Sequence, residues 1–244
     1  MSQGKNKGLT IIELLVAIGI IAVVVAITIP AINAMQKSSG STGTVQMISA
    51  TLSNARTIAT SRQQYVGVRF QKTYNANPLK AEQYMIITVY SPIYSPLQES
   101  PVAAWFIAVE GCKPIKLPSN TGVIDMTEIS GDGDINDDIK LSNATTFSIV
   151  FSPVGKLIIY DTWTGNKNGV EDNTSKDDVF NSKANVMADT GMFIQDDTQE
   201  KSRTKLTIYD RSIFDKLPPN ERYSKYLVTL KPVFINFYTG MVIE

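Results

Sequence analysis

The chain has 244 residues, of which 43% are hydrophobic, and its 23 basic side chains balance its 23 acidic ones. It contains no histidine, which excludes His-dependent catalytic triads, zinc sites with imidazole ligands and a histidine general base. The single cysteine, Cys112, cannot form an intrachain disulfide and fits a small buried apolar residue. The composition predicts one modest globular domain with an appendage.

Residues 9–29 are almost entirely apolar, with Glu13 as their one charged side chain. A helix of about 20 apolar residues crosses the ~30 Å hydrocarbon core of a bilayer. We therefore predict a single-pass membrane helix here, and Lys5 and Lys7 place the amino terminus in the cytoplasm. A cleaved secretory signal is the alternative, but its apolar part is shorter and ends at a small-residue cleavage site, whereas this stretch leads into Pro30.

Glu13 requires an explanation, because a carboxylate in a membrane helix costs about 2.5–3.5 kcal/mol at the bilayer centre. One interpretation is that Glu13 lies near the start of the helix and reaches the interface. The other is that an ammonium group neutralises it. Cleavage between Gly8 and Leu9 would create such a group four residues before Glu13.

The sequence KGLTIIEL at residues 7–14 resembles the amino-terminal signal of type IV pilins and pseudopilins. The resemblance implies that a membrane prepilin peptidase cleaves after Gly8 and that the new amino group of Leu9 is methylated. It also implies that Glu13 pairs with the amine of a neighbouring subunit during filament assembly and that Pro30 kinks the helix. The protein would then sit in the inner membrane, with its head in the periplasm or outside the cell. Leu9 departs from the family's usual phenylalanine, and Ile12 from its usual leucine.

The predicted organisation is a cleaved leader (1–8), a stalk helix (9–62) and a β-rich head (63–244) with an acidic insertion at about 125–202. In the second half of the stalk, apolar residues recur at spacings of three and four, which predicts one stripe that packs on a sheet. These residues are Val45, Ile48, Leu52, Ala55 and Ala59, and the polar side carries Asn54, Arg56 and Arg62. The predicted fold class is α+β, a long hydrophobic helix packed on an antiparallel sheet.

Strands are predicted in the head from alternating apolar residues and enrichment in β-branched and aromatic side chains. The predicted ranges are 65–71, 83–90, 102–109, 147–151, 156–160, 205–209, 226–230, 233–237 and 241–243. Two hairpin turns, at 151–156 and 237–241, place Gly155 and Gly240 where a positive φ is needed.

Together with residues 52–62 and the first strand, these two turns resemble the H-type minor pseudopilins of type II secretion and related minor pilins. That resemblance covers the stalk, the first strand and the two turns. The head is longer than is usual in that family, mainly between Cys112 and Arg203, and it lacks the cysteine pair that closes the tail of many major pilins.

The balanced total charge conceals an acidic middle section. Residues 125–200 hold 15 acidic and five basic side chains, whereas residues 201–244 hold four acidic and eight basic ones. We interpret the polar stretch 164–202 as a solvated insertion that cannot bury enough apolar area to pack tightly.

A calcium site is the alternative for part of this section, because oxygen-bearing residues occur at every second position of Asp132, Asp134, Asn136 and Asp138. An EF-hand is excluded, since Asp137 stands at its glycine position and Asn143 at its glutamate position. No cofactor is therefore expected, with an irregular calcium site as the weak alternative.

The sequence thus predicts a structural subunit, a minor pseudopilin or minor pilin of a secretion or pilus filament, and not an enzyme. Its expected partners are prepilin peptidase, other pilin-like subunits and the membrane. The alternative is a DNA-binding minor pilin for DNA uptake, since basic residues alternate with aromatic ones near the carboxyl terminus. These are Arg203, Lys205, Arg211, Lys216, Arg222, Lys225 and Lys231, among Tyr209, Phe214, Tyr223 and Tyr226. No nucleic acid is expected, because the adjoining acidic section would repel phosphates.

Overall fold

The structure is a computed structural model and describes residues 42–91, 104–127, 129, 135–166, 179–188, 191–196 and 200–243. The chain divides into two units, Met1–Thr42 and Gly43–Glu244, and nearly all of the described residues belong to the second. The predicted membrane segment 9–29 lies outside the described residues. Within the part of the chain that is described, no helix has both the length and the apolarity of a membrane span.

The first element is a helix over residues 42–62 (α1). Its predicted apolar stripe is confirmed, because Ile48, Leu52, Ala55 and Ala59 are fully buried in the main core. Past the end of the helix, Gln63 has a φ of +52°, and the Gln64 amide donates to the Ala59 carbonyl at 3.2 Å. A left-handed residue at this position satisfies a carbonyl that the ended helix leaves free.

The larger sheet has seven strands. They are β1 (Val66–Lys72), β2 (Gln83–Ser91), β3 (Ala104–Ala108), β4 (Ile115–Lys116), β6 (Phe147–Phe151), β7 (Asp161–Thr164) and β10 (Glu200–Lys201). Their order is β10-β7-β3-β2-β1-β6, with β4 on β2. All pairs are antiparallel except β3 with β7, which is parallel. The prediction of an antiparallel sheet is therefore wrong at this pair, where the chain crosses from β6 at one edge of the sheet to β7, one strand in from the other edge.

The second sheet has four strands in the order β13-β12-β11-β5. They are β5 (Thr121–Ile124), β11 (Lys205–Asp210), β12 (Val233–Ile235) and β13 (Val242–Ile243). Val123, Leu206, Val233 and Ile235 from this sheet join the same core as the α1 stripe. The core therefore combines one helix with residues from both sheets.

The remaining elements are short. They are a parallel pair, β8 (Phe180–Asn181) and β9 (Phe193–Ile194), the helices α2 (Leu141–Ala144), α3 (Lys183–Met187), α4 (Arg211–Phe214) and α5 (Pro219–Glu221), a π-helical turn (Arg222–Tyr226) and a 3-10 turn (Leu227–Thr229). Several of them cover surfaces that the two sheets would otherwise leave open. Phe180 and Phe193 pack on Ile86 of β2, and Phe214 and Leu227 pack with Ile124 of β5.

Two predicted strands are wrong. Residues 156–160 do not form a strand, because only Leu157 makes a single bridge, to Phe151. Residues 226–229 are helical instead. They follow a short helix that begins at Pro219, and the ion pair between Glu221 and Lys225 spans one helical turn. Leu227 is buried and Val228 is 58% exposed.

Candidate functional site

The predicted processing residues Gly8 and Leu9, the predicted assembly carboxylate Glu13 and the predicted kink residue Pro30 lie outside the described residues. Asp132 and Asp134, two of the weak calcium candidates, also lie outside them. The structure bears instead on the head, where it shows four arrangements of side chains.

The first arrangement joins α1 to the two predicted glycine turns. The Nε of Arg56 donates to the Gly155 carbonyl at 2.9 Å, and Gly155 and Gly240 have φ values of +77° and +67°. A Cβ at Gly155 would lie 3.1 Å from Arg56 Nε, and one at Gly240 would lie 2.8 Å from the Phe151 ring. Both turns are confirmed, and glycine provides both the backbone conformation and the close approach that they need.

The two turns also contact each other and present apolar side chains. The Leu157 amide donates to the Phe237 carbonyl at 2.9 Å, and Lys156 Nζ lies 5.4 Å from the centre of the Tyr238 ring. The large apolar residues on this part of the head are exposed by 43–70%. We call this set the hairpin patch, and it consists of Val154, Phe234, Phe237, Tyr238, Met241 and Ile243.

The second arrangement is a buried charge cluster on the face of the larger sheet opposite α1. Arg69 of β1 is 1% exposed, and its guanidinium contacts Asp196 at 3.1 Å and Glu200 at 2.9 Å. Burial raises the pKa of Glu200 to about 7, against the opposing effect of Arg69. One guanidinium thus serves two carboxylates of the acidic section. The alternating pattern of residues in β1 does not predict this cluster, because an arginine on the side of a strand that faces away from the core is normally solvated.

The acidic section packs more closely than its composition predicted. Asp125 and Arg203 are both buried and form an ion pair at 2.5 Å. The Arg203 amide donates to the Ser148 carbonyl, and the Val150 amide donates to Ser202 Oγ, each at 2.8 Å. Phe180, Asn181 and Phe193 are also buried, so the interpretation of 164–202 as an insertion too polar to pack is wrong for its described parts. Buried arginines provide the partners that its carboxylates need.

The third arrangement concerns the basic and aromatic residues that suggested DNA binding. Arg203, Arg211 and Arg222 are buried, as are Tyr209 and Phe214. Arg222 pairs with Asp138 at 2.5 Å, and its guanidinium carbon lies 5.0 Å from the centre of the Phe214 ring. This alternating pattern therefore reflects packing inside the head, where these three arginines are enclosed rather than presented to a phosphate backbone.

Asp138, which is also a calcium candidate, forms an ion pair with Arg222. Asn136 is exposed. Within the described ranges, no group of three or more His, Cys, Asp or Glu side chains is placed to hold a metal ion. The irregular calcium site stays a prediction, because Asp132 and Asp134 lie outside the described residues.

The fourth arrangement is a buried lysine at the end of β1. Lys72 ends β1, is 6% exposed and donates to the Pro78 carbonyl at 2.9 Å. Burial and, to a smaller extent, the nearby charge of Arg211 lower the pKa of Lys72 to about 7. The sequence carries no signal of this burial, since a lysine at the end of a strand is ordinarily solvated.

Comparison with known proteins locates a family feature at the amino terminus. Residues 3–29 match the family model described as the prokaryotic N-terminal methylation motif. No curated protein and no solved structure gives a significant match to the chain. The motif supports a type IV pilin-like subunit whose membrane-anchored precursor is processed by prepilin peptidase and which assembles with other pilin subunits.

Proposed function

We propose that this chain is a minor pseudopilin or minor pilin, close to the H-type subunits, that assembles into an inner-membrane-based filament for type II secretion or a type IV pilus. The observation that carries the proposal is the methylation motif at residues 3–29, which contains Gly8, Leu9 and Glu13. The described head adds a helix whose apolar stripe packs on a sheet and whose Arg56 contacts both glycine turns.

Cleavage after Gly8 would provide a positively charged partner for the Glu13 carboxylate, and this pairing would favour the assembly of subunits. In the precursor, Glu13 is a carboxylate within an apolar stretch, where charge is costly. Cleavage after Gly8 creates an amino group on Leu9, and methylation of an amine leaves it able to carry a positive charge. In a low dielectric, a neighbour's ammonium and Glu13 neutralise each other, so subunits associate where each carboxylate finds an amine.

The processing step is tested by mass spectrometry of the protein isolated from its host. The expected mature chain begins at Leu9 with one added methyl group. Gly8→Val should leave the leader attached, whereas Gly4→Val, a matched change inside the leader, should leave processing intact. A mature protein that retains residues 1–8 would overturn the proposal.

The pairing of Glu13 is tested separately from cleavage. Glu13→Gln keeps the size of the side chain and removes its charge, so it should be cleaved normally but fail to enter filaments. Glu13→Asp retains the charge and should restore part of the incorporation. If Glu13→Gln and Glu13→Lys enter filaments as well as the wild type, the carboxylate has no assembly role.

A further inference from the structure

The loop between β1 and β2 is held on the head by two buried side chains. Lys72 Nζ donates to the Pro78 carbonyl at 2.9 Å, and the Arg211 guanidinium donates to the carbonyl of the next residue, Leu79. Pro78 is buried, and Leu79 packs against the apolar cluster that contains Phe214. Two consecutive carbonyls of one loop therefore depend on side chains that are themselves enclosed.

The same part of the head holds three enclosed cationic side chains and two carboxylates. Lys72, Arg211 and Arg222 are each at most 8% exposed. Asp215 lies 3.8 Å from Arg211 and is 34% exposed, and Asp138 pairs with Arg222 and is 38% exposed. These four charged groups face Lys72 from α4, the π-helical turn and the segment before α2. Because the acids are partly solvated, a positive charge on the enclosed lysine is poorly compensated.

Lys72 is the one member of the three cations that can lose its proton near neutral pH, because a guanidinium has a pKa above about 12. Burial is the main cause that lowers the pKa of Lys72 to about 7, and the charge of Arg211 is the next. A neutral amine still donates a hydrogen bond, so the contact with the Pro78 carbonyl does not require the charge. Protonation is therefore unfavourable while the loop is closed and favourable once water reaches the amine.

We propose that protonation of Lys72 is a pH-sensitive switch that opens the β1–β2 loop, residues 73–82, while the two sheets remain folded. With the amine neutral, the loop stays closed on Lys72 and Arg211. With the amine charged, the loop opens more often and uncovers Pro78 and Leu79. The switch is a property of the head alone and does not depend on the proposed filament function.

Lowering the pH favours the open loop over a defined range. The amine titrates near 10.5 when it is solvated and near 7 when it is enclosed. Closure is therefore most favourable above about pH 10.5, becomes weaker as the pH falls, and is constant once the enclosed amine is also protonated. The equilibrium constant for opening should rise about 90-fold between pH 9 and pH 6 and change little below about pH 6.

Hydrogen–deuterium exchange of the full chain in detergent, read by mass spectrometry on peptides that cover residues 73–82, measures this opening. The amides of Thr73, Leu79 and Lys80 donate hydrogen bonds within the loop and are the reporters. After correction for the intrinsic exchange rate at each pH, the wild type should show the 90-fold rise, whereas peptides from β6 should not.

Two variants of Lys72 separate the charge from the rest of the side chain. Lys72→Met keeps an apolar stem and removes the amine, so corrected exchange of the loop should become independent of pH. Lys72→Arg carries a charge at every pH, so its loop should be at least as open at pH 9 as the wild-type loop is at pH 6. Lys80→Met is the matched control, because Lys80 is an exposed lysine of the same loop, and it should keep the wild-type profile.

Three results would overturn the switch. They are equal corrected exchange of the wild-type loop at pH 9 and pH 6, a pH dependence that survives in Lys72→Met, and an equal rise in the peptides of β6. The last result would mean that the whole head opens rather than the loop. Because none of these measurements depends on processing or on entry into a filament, failure of the switch is distinguishable from failure of the proposed function.

Discussion

Replacing Glu200 with glutamine is expected to remove a pH dependence that one buried carboxylate gives to the stability of the head. Glu200 shares the Arg69 guanidinium with Asp196. Burial of the Glu200 carboxylate is the main cause of the rise of its pKa from 4.5 to about 7, and the nearby Asp196 carboxylate adds to it against the effect of Arg69.

The sign and size follow from linkage. Because the pKa is higher in the folded state, the stabilising contribution of Glu200 is fully present below about pH 4.5 and is lost as the pH rises through about 7. A shift of one pKa unit corresponds to about 1.4 kcal/mol. The free energy of unfolding should therefore fall by about 2.5 kcal/mol between pH 5 and pH 8 on account of this one group. Glu200→Gln, which is neutral throughout, should lack that fall.

Urea unfolding of the full chain in detergent measures this difference. Tryptophan fluorescence is a suitable signal, since both tryptophans, Trp105 and Trp163, lie in adjacent strands of the larger sheet. The difference between variant and wild type should grow from pH 5 to pH 8 in favour of the variant. Asp161→Asn, an exposed acid on β7, serves as the control and should keep the wild-type profile. A constant offset between Glu200→Gln and wild type over this range would refute the reasoning.

Two further predictions concern the junction of α1 with the glycine turns, and the same unfolding assay measures both. Arg56→Ala removes the hydrogen bond to the Gly155 carbonyl and should lower the free energy of unfolding by about 1–2 kcal/mol. Arg62→Ala, at an exposed position, should change it by less than about 0.5 kcal/mol. Equal effects of the two changes would contradict the role of Arg56. Gly155→Ala places a Cβ at a φ of +77° and 3.0 Å from the Thr60 methyl group and should cost about 1–2 kcal/mol. Gly43→Ala, which meets nothing within 4 Å, is its control, and a neutral Gly155→Ala would show that the turn relaxes freely.

The sequence predicted best where a local pattern and the final burial agree. The spacing of Ile48, Leu52, Ala55 and Ala59 identified the buried side of α1, and alternation identified β1, β2, β6 and β11 to within a residue or two. Gly155 and Gly240 marked the turns because few other residues adopt a positive φ without strain. In each of these cases the information lies within a few neighbouring residues.

The sequence predicted least where segments far apart along the chain determine the environment of a side chain. Arg69 is buried because Asp196 and Glu200 arrive from more than 120 positions away, and Arg222 is buried because Asp138 does so from 84. No local pattern encodes such pairs. For the same reason, the carboxyl-terminal basic residues suggested a nucleic-acid surface, although their partners place three of them inside the head. Several short elements, such as β4, β8 and α3, were also missed, because two to five residues seldom show a period.

The core on which α1 rests is completed late in synthesis. Val233 and Ile235 of β12 contribute to it together with Ile48 and Leu52, although nearly the whole head separates them along the chain. A polypeptide interrupted before residue 233 would lack these two side chains and would leave that part of the core open. Only a fully translated head therefore completes the core, and an unfinished one is a better substrate for proteases.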